Sequence, residues 1–79
     1  MIEKLPNNRI VGAKQTIKAI KANKVEKVYI AENADRKVIE PILNCCNEQG
    51  VEVIMISTMQ KLGVLCNIDV GAATACTIK

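Results

Sequence analysis

The 79-residue chain has no histidine, tryptophan or phenylalanine, and Tyr29 is its single aromatic residue. Without histidine, a cysteine or serine nucleophile lacks its usual catalytic partner. No Cys-x-x-Cys pair occurs either, so neither a zinc site nor a thioredoxin-type redox centre is supported. Proteins that read single-stranded nucleic acids stack the bases on several aromatic rings, which this chain does not have. We therefore expect no metal, no cofactor and no reading of single strands.

Long apolar runs are also missing. No run approaches the ~18 residues of a membrane-spanning helix, and residues 1–8 lack the apolar stretch of a signal peptide. We therefore predict a cytoplasmic protein with no membrane partner. The length predicts one small domain, 1–79, and the 49% of apolar residues suffice for its core. The cysteines are expected to be reduced core thiols; they are Cys45, Cys46, Cys66 and Cys76.

Acidic residues are scarce in the first third of the chain. Residues 1–27 contain seven Lys or Arg against two Asp or Glu, whereas residues 28–79 contain four against six, within a net charge of +3. Such an asymmetry between the two parts indicates a polyanionic partner. The alternative interpretation is a solvated surface that happens to be basic.

The sequence is organised around a glycine turn that leads into a lysine-bearing helix, residues 12–18, directly after a short apolar strand signal at 9–11. Helix starts favour Asp or Glu, because the free N–H groups of the first turn and the helix dipole make that end positive. Here the first turn carries Lys14, and Lys18 and Lys21 follow at helical spacing. Since nothing in the helix offsets this charge, we interpret it as a site for an external anion such as phosphate.

Strand and helix patterns alternate along the chain. A helical turn is expected at 2–5 and the first helix at 13–22. Asp35 and Gly50 are the predicted caps of the second helix, and Ser57 or Thr58 begins the third. The order β-α-β-α-β-α-β, with short connections, predicts an α/β fold with helices on both faces of one sheet. The predicted strands are 9–11, 27–31, 51–56 and 72–78.

Apolar residues at helical spacing predict the buried faces of the three helices. Pro41 is expected to bend the second helix or to make its first turn shallow. Gly63 lies inside the third helix, where glycine is unfavourable, and therefore implies close packing against another element. The residues predicted to be buried on the helices are Ala13, Ile17, Ile20, Val38, Ile39, Ile42, Leu43, Cys46, Met59, Leu62, Leu65 and Cys66.

Carboxylates offer an enzymatic alternative. Glu32, Asp35 and Glu40 fall near one another and suggest a general-acid pair, but capping and surface roles explain them better. Gly12 alone does not make a dinucleotide-binding fingerprint, and no Walker motif is present. A folded RNA suits the residues better, because the lysines neutralise phosphates and Gln15 presents both a donor and an acceptor to a base edge.

Two separate stretches of the sequence carry a family resemblance. The chain closely resembles the ribosomal protein L-seven-Ae/L-thirty-e family of kink-turn RNA binders in two places, which are residues 10–20 with 28–35 and, later, residues 59–63 with 67–73. The small bacterial members of that family are the most similar in length and motif order. The resemblance covers residues 9–78.

The resemblance implies a three-layer α/β/α sandwich on a mixed four-stranded sheet. It also implies binding to the kink-turn, an internal loop with tandem sheared G·A pairs and a sharp backbone bend. The first helix would dock at the G·A pairs, and the loop carrying Ile68 and Val70 would shelter an extruded nucleotide. From the residues alone, burial of these two side chains in the core is the alternative. The candidate RNA-binding residues are Gly12, Ala13, Lys14, Gln15, Lys18, Lys21, Glu32, Asp35, Ile68, Asp69 and Val70.

One departure from the family concerns the helix start, where this chain has Lys14-Gln15 and many archaeal members carry Asn-Glu. Two questions stay open at this point: whether the natural RNA is ribosomal RNA, a riboswitch or another structured RNA, and whether the fold serves instead as a protein-interaction adaptor. No catalytic activity is expected. The small size and the basic face predict a monomer.

Overall fold

Strands and helices alternate along residues 8–79, the part of the chain that the computed structural model describes. The alternation confirms the predicted order, whereas the helical turn expected at 2–5 lies outside the described residues. The elements are β1 (Arg9–Val11), α1 (Ala13–Lys21), β2 (Val25–Ala31), α2 (Arg36–Gln49), β3 (Glu52–Ile56), α3 (Met59–Leu65) and β4 (Thr74–Ile78).

The four strands form a mixed sheet in the order β1-β4-β2-β3. β2 and β3 are parallel, while β4 runs antiparallel to both β1 and β2. The apolar sequence of β2 fits its central position, because a central strand is covered on both faces. The directions of the strands bring the ends of β1, β2 and β3 and the beginning of β4 to one edge of the sheet, which we call the upper edge.

The helices cover both faces of the sheet, which confirms the predicted three-layer α/β/α sandwich. α1 and α2 pack side by side on one face, and α3 packs on the other. The buried face of α1 differs from the expected one. Thr16 and Ala19 are buried together with Ile20, whereas Ala13 and Ile17 are only half-buried. The hydrophobic pattern missed Thr16 and Ala19, because one is polar and the other is small.

Helix ends follow the predicted capping chemistry. Asp35 Oδ1 accepts a hydrogen bond from Lys37 N at 2.9 Å, and Gly50 ends α2 in the left-handed conformation with φ of +67°. Thr58, rather than Ser57, caps α3, since its Oγ1 accepts from Lys61 N at 3.0 Å. α2 continues through the exposed Pro41 as one helix.

Three strands differ in their limits from the prediction, and the smallest difference is that β3 begins at Glu52 instead of Val51. β2 begins at Val25 because Val25 already pairs with Ile78, across an irregularity in the ladder. β4 begins at Thr74 instead of Ala72. The N–H of Ala72 donates to Met59 O at 3.0 Å, so this residue is bonded to the beginning of α3 and not to a neighbouring strand.

The cysteines are free thiols, as expected for a reduced core. Cys46, Cys66 and Cys76 are buried, and Cys45 is half-buried. Burial raises the pKa of the Cys46 thiol to about 11, with smaller contributions from Cys45 and Cys76. Burial also raises the pKa of Cys66 and of Cys76. The three buried thiols therefore behave as neutral core side chains.

Candidate nucleic-acid interface

Gly12 places the beginning of α1 at the upper edge. Its φ of +111° is a conformation that favours glycine. The Gly12 N–H donates to Thr74 O at 3.1 Å, and its carbonyl accepts from Thr16 N at 2.9 Å as the first bond of the helix. No side chain of the described residues caps α1, and its first turn contains no acid. The first turn of α1 therefore contains no acidic side chain that offsets the positive end of the helix.

The lysines of α1 follow one another along its solvent side. Lys14, Lys18 and Lys21 are exposed, and none of them forms an ion pair within residues 8–79. The rise of a helix places Lys21 roughly 10 Å from Lys14 along the axis. Lys14 therefore lies at the upper edge, whereas Lys21 lies at the far end of α1 and is not brought together with the other candidate residues.

A shallow groove runs beside α1. It has a volume of about 290 Å³, and both apolar and polar side chains line it. Gln15 lies at this groove and is exposed, so its amide is available to a ligand. The residues that line the groove are Ile10, Gln15, Lys18, Ala19, Ala22 and Lys24.

Residues 67–71, which we call the aliphatic loop, turn back along α3 toward the upper edge. The N–H of Ile68 donates to Gly63 O at 3.1 Å, and the carbonyl oxygen of Val70 lies against Gly63. This contact confirms the close packing that Gly63 implied. Ile68 is 36% exposed and Val70 is 69% exposed, so the alternative that both side chains are buried in the core is wrong. Asp69 between them is also exposed.

The connection from β2 to α2, residues 32–35, lies next to the aliphatic loop. Ala31 N donates to Ala73 O at 2.9 Å, and Glu32 N donates to Ile56 O at 2.7 Å. The side chain of Glu32 is exposed. Asp35 is also exposed, but its carboxylate already caps α2. These bonds fix the end of β2 against the end of β3 and against the segment that leads from the aliphatic loop into β4.

The sequence interpretation missed Asn33. Its Oδ1 accepts a hydrogen bond from Met59 N at 2.8 Å and so caps α3 from a different loop. The two residues are 26 positions apart, and no spacing rule connects them. Only the pairing of β2 with β3, which brings the ends of both strands together, makes this bond possible.

The upper edge therefore carries three segments: the beginning of α1, which is bonded to the beginning of β4, the 32–35 connection, and the end of the aliphatic loop, which leads into β4. Lys18 lies about one helical turn away from that edge. Glu40 does not belong to the arrangement, because it lies on α2, where it pairs with Arg36 at 3.4 Å. The capping role of Asp35 and this pairing of Glu40 agree with the structural interpretation of those carboxylates. Within residues 8–79 there is no cluster of metal-ligating side chains, and no helix is long and apolar enough to cross a membrane.

Proteins of similar sequence and fold are named as RNA-binding proteins. One from Caldanaerobacter subterraneus subsp. tengcongensis is 49% identical over 78 residues, which cover 99% of this chain and 95% of that protein. The RNA-binding protein YbxF of Geobacillus stearothermophilus is 40% identical over 70 residues, 89% of this chain and 85% of YbxF. The solved structure of the Giardia lamblia 15.5kD RNA binding protein has a TM-score of 0.86 and 29% identity, covering 91% of this chain and 61% of that one.

The fold and these relatives define the class, a small α/β RNA-binding protein. The sequence profile of the Ribosomal protein L7Ae/L30e/S12e/Gadd45 family matches residues 3–79, and the chain belongs to that family. The family membership confirms the resemblance that the two stretches of sequence carry.

Proposed function

We propose that this protein recognises kink-turn motifs in structured RNA, with the upper edge as its binding surface. The observation that carries the proposal is the meeting of an uncapped cationic helix start with an exposed aliphatic loop at one edge of the sheet. A sharply bent RNA offers both a groove lined with phosphates and an extruded nucleotide within a short distance, and so matches these two different surfaces.

The beginning of α1 is the part that contacts the G·A pairs. The N–H groups of its first turn, those of Ala13, Lys14 and Gln15, and the ammonium of Lys14 attract phosphate oxygens. Gln15 carries a carbonyl acceptor and an amide donor, and it is the residue that reads base edges. Lys18 and Lys21 continue the phosphate contacts along the helix and fix the orientation of the RNA without reading its sequence.

The aliphatic loop is the part that shelters the extruded nucleotide. Ile68 and Val70 are exposed, and burying their side chains against a base contributes roughly 25 cal/mol for each Å² of apolar surface removed from water. Glu32 lies beside the loop and accepts hydrogen bonds from base amino groups. Asp69 and Asp35 flank the site, where Asp35 acts mainly through the cap that fixes the 32–35 connection.

The wider role follows from the family and the chemistry of the surface. We propose that the protein acts as a monomer in ribonucleoprotein particles of the cytoplasm, on ribosomal RNA or a riboswitch. Its free thiols agree with that compartment. The name of the family supports an association with the ribosome. We assign the protein no catalytic activity.

A titration with two RNAs tests the proposal. One RNA contains a kink-turn, and the other differs only in its G·A pairs, which are replaced by Watson–Crick pairs. The proposal predicts much tighter binding of the first RNA. Equal affinity for both would contradict it. Retention of a protein partner after RNase treatment, together with that equality, would favour the adaptor role on the same fold.

A further inference from the structure

Met59 connects the 32–35 connection to the aliphatic loop. Its N–H donates to Asn33 Oδ1 at 2.8 Å, and its carbonyl oxygen accepts from Ala72 N at 3.0 Å. Gly71 packs directly on the same residue, since a Cβ atom at position 71 would lie 3.2 Å from the Met59 Cβ. Asn33, Met59 and Ala72, the residue directly after the aliphatic loop, are therefore joined by hydrogen bonds, and Gly71 at the end of the loop packs on Met59.

The side chain of Asn33 forms no other hydrogen bond within the described residues. Asp35, in the same connection, caps α2, and Thr58 caps α3 through Lys61 N without reaching either loop. Asn33 is exposed, so its contribution to the apolar core is small. What it supplies is a bond between two segments that both border the proposed RNA site.

We infer that Asn33 is a positioning residue for RNA recognition, which holds α3 and the aliphatic loop in place before the RNA arrives. The inference rests on the proposed kink-turn function. Loops that are ordered in advance lose less conformational entropy on binding. Ile68 and Val70 therefore meet the extruded nucleotide without a prior rearrangement, while the contacts of α1 with the G·A pairs do not depend on Asn33.

The test measures Kd for the wild type, Asn33→Ala and Asn33→Asp with two RNAs, a kink-turn RNA and the same RNA with an abasic site in place of the extruded nucleotide. Asn33→Ala is expected to weaken binding of the intact RNA about fivefold, the effect of roughly one hydrogen bond, and to leave binding of the abasic RNA unchanged. Asn33→Asp keeps an acceptor oxygen and is expected to retain the wild-type ratio between the two RNAs.

Thr58→Ala is the matched control, because it removes a hydrogen bond from the first turn of the same helix without disconnecting the two loops. It is expected to leave the ratio between the two RNAs unchanged, and thermal unfolding shows that each variant is folded. The inference would be overturned if Asn33→Ala weakened the binding of both RNAs equally. It would also be overturned if Thr58→Ala changed the ratio of the two Kd values as much as Asn33→Ala does. Equal wild-type affinity for kink-turn RNA and the RNA without G·A pairs would instead overturn the proposed function and this inference with it.

Discussion

The carbonyl oxygen of Val70 occupies the space that a side chain at Gly63 would fill. The backbone of the aliphatic loop is therefore in direct contact with α3, and the Val70 side chain is turned outward and is 69% exposed. The glycine that is unfavourable for the helix is what lets the loop approach it. One residue of α3 thus determines how the loop is presented to a ligand.

Gly63→Ala should destabilise the protein, although alanine is the better helix former. The added methyl group would displace the backbone of the aliphatic loop, at a cost of about 2 kcal/mol in the free energy of unfolding. Helix propensity alone would give a gain of about 1 kcal/mol. Urea unfolding separates the two predictions. Val64→Ala, at the exposed neighbouring position, is the control and should change the stability by less than about 0.5 kcal/mol; a stabilised Gly63→Ala variant would contradict the packing argument.

Two buried threonines of β4 should respond differently to replacement by valine. Thr74 Oγ1 donates to Tyr29 O at 2.8 Å, whereas Thr77 Oγ1 has no partner among the described residues. We expect Thr74→Val to lower the free energy of unfolding by about 1 kcal/mol, because a hydrogen bond is lost, and Thr77→Val to be neutral or stabilising. Equilibrium unfolding of both variants measures the difference. Equal losses would show that the hydroxyl of Thr74 is not a stabilising donor.

The stability should fall when the pH rises above the ordinary thiol range. Cys46 has its pKa raised by burial from 9.0 to about 11, and Cys66 and Cys76 are shifted in the same direction. Between these pH values the unfolded chain releases protons that the folded chain retains, so the free energy of unfolding decreases as the pH rises. Urea midpoints from pH 8 to pH 10.5 measure the decrease. Cys46→Ala should be less stable at pH 8 but should show a weaker dependence on pH, and an unchanged dependence would be evidence against the role of Cys46.

Gln15 and Lys24 should contribute to RNA binding in different ways. Gln15→Ala is expected to reduce the discrimination between kink-turn RNA and RNA without G·A pairs. Lys14→Ala should reduce this discrimination too, and it should also weaken binding. Lys24→Ala should weaken the binding of both RNAs similarly. It should also reduce the slope of log Kd against log salt concentration by about one. Fluorescence titrations at several salt concentrations measure both effects. If the Gln15→Ala variant discriminates between the two RNAs as well as the wild type does, Gln15 does not contact a base edge.

The fold was predictable where local chemistry decides the structure. The caps at Asp35, Gly50 and Thr58 depend on neighbouring residues, and the nearly all-apolar run predicted as a strand at 27–31 is typical of a strand covered on both faces. Contacts between distant segments were not predictable. The bond from Asn33 to Met59 depends on the register of β2 and β3, and the burial of Thr16 depends on how closely α1 approaches the sheet.

In the candidate site, too, only the features that depend on neighbouring residues could be predicted from the sequence. The positive helix start was readable from Lys14, because a lysine in place of an acid in the first turn is a local signal. The exposure of Val70 was not readable, since an aliphatic residue in a loop is equally compatible with burial. It follows from the contact of its carbonyl with Gly63, seven residues earlier in the chain.

The most direct test of the account is the shape of the RNA when the protein binds. A kink-turn RNA carries donor and acceptor dyes on the outer ends of its two stems, in a buffer without divalent cations that leaves it extended. If the protein recognises the bent form, energy transfer rises on addition of the protein and saturates at one protein per RNA, and the RNA without G·A pairs shows no rise. An unchanged signal for the kink-turn RNA, or the same rise for both RNAs, would contradict recognition of the bent form.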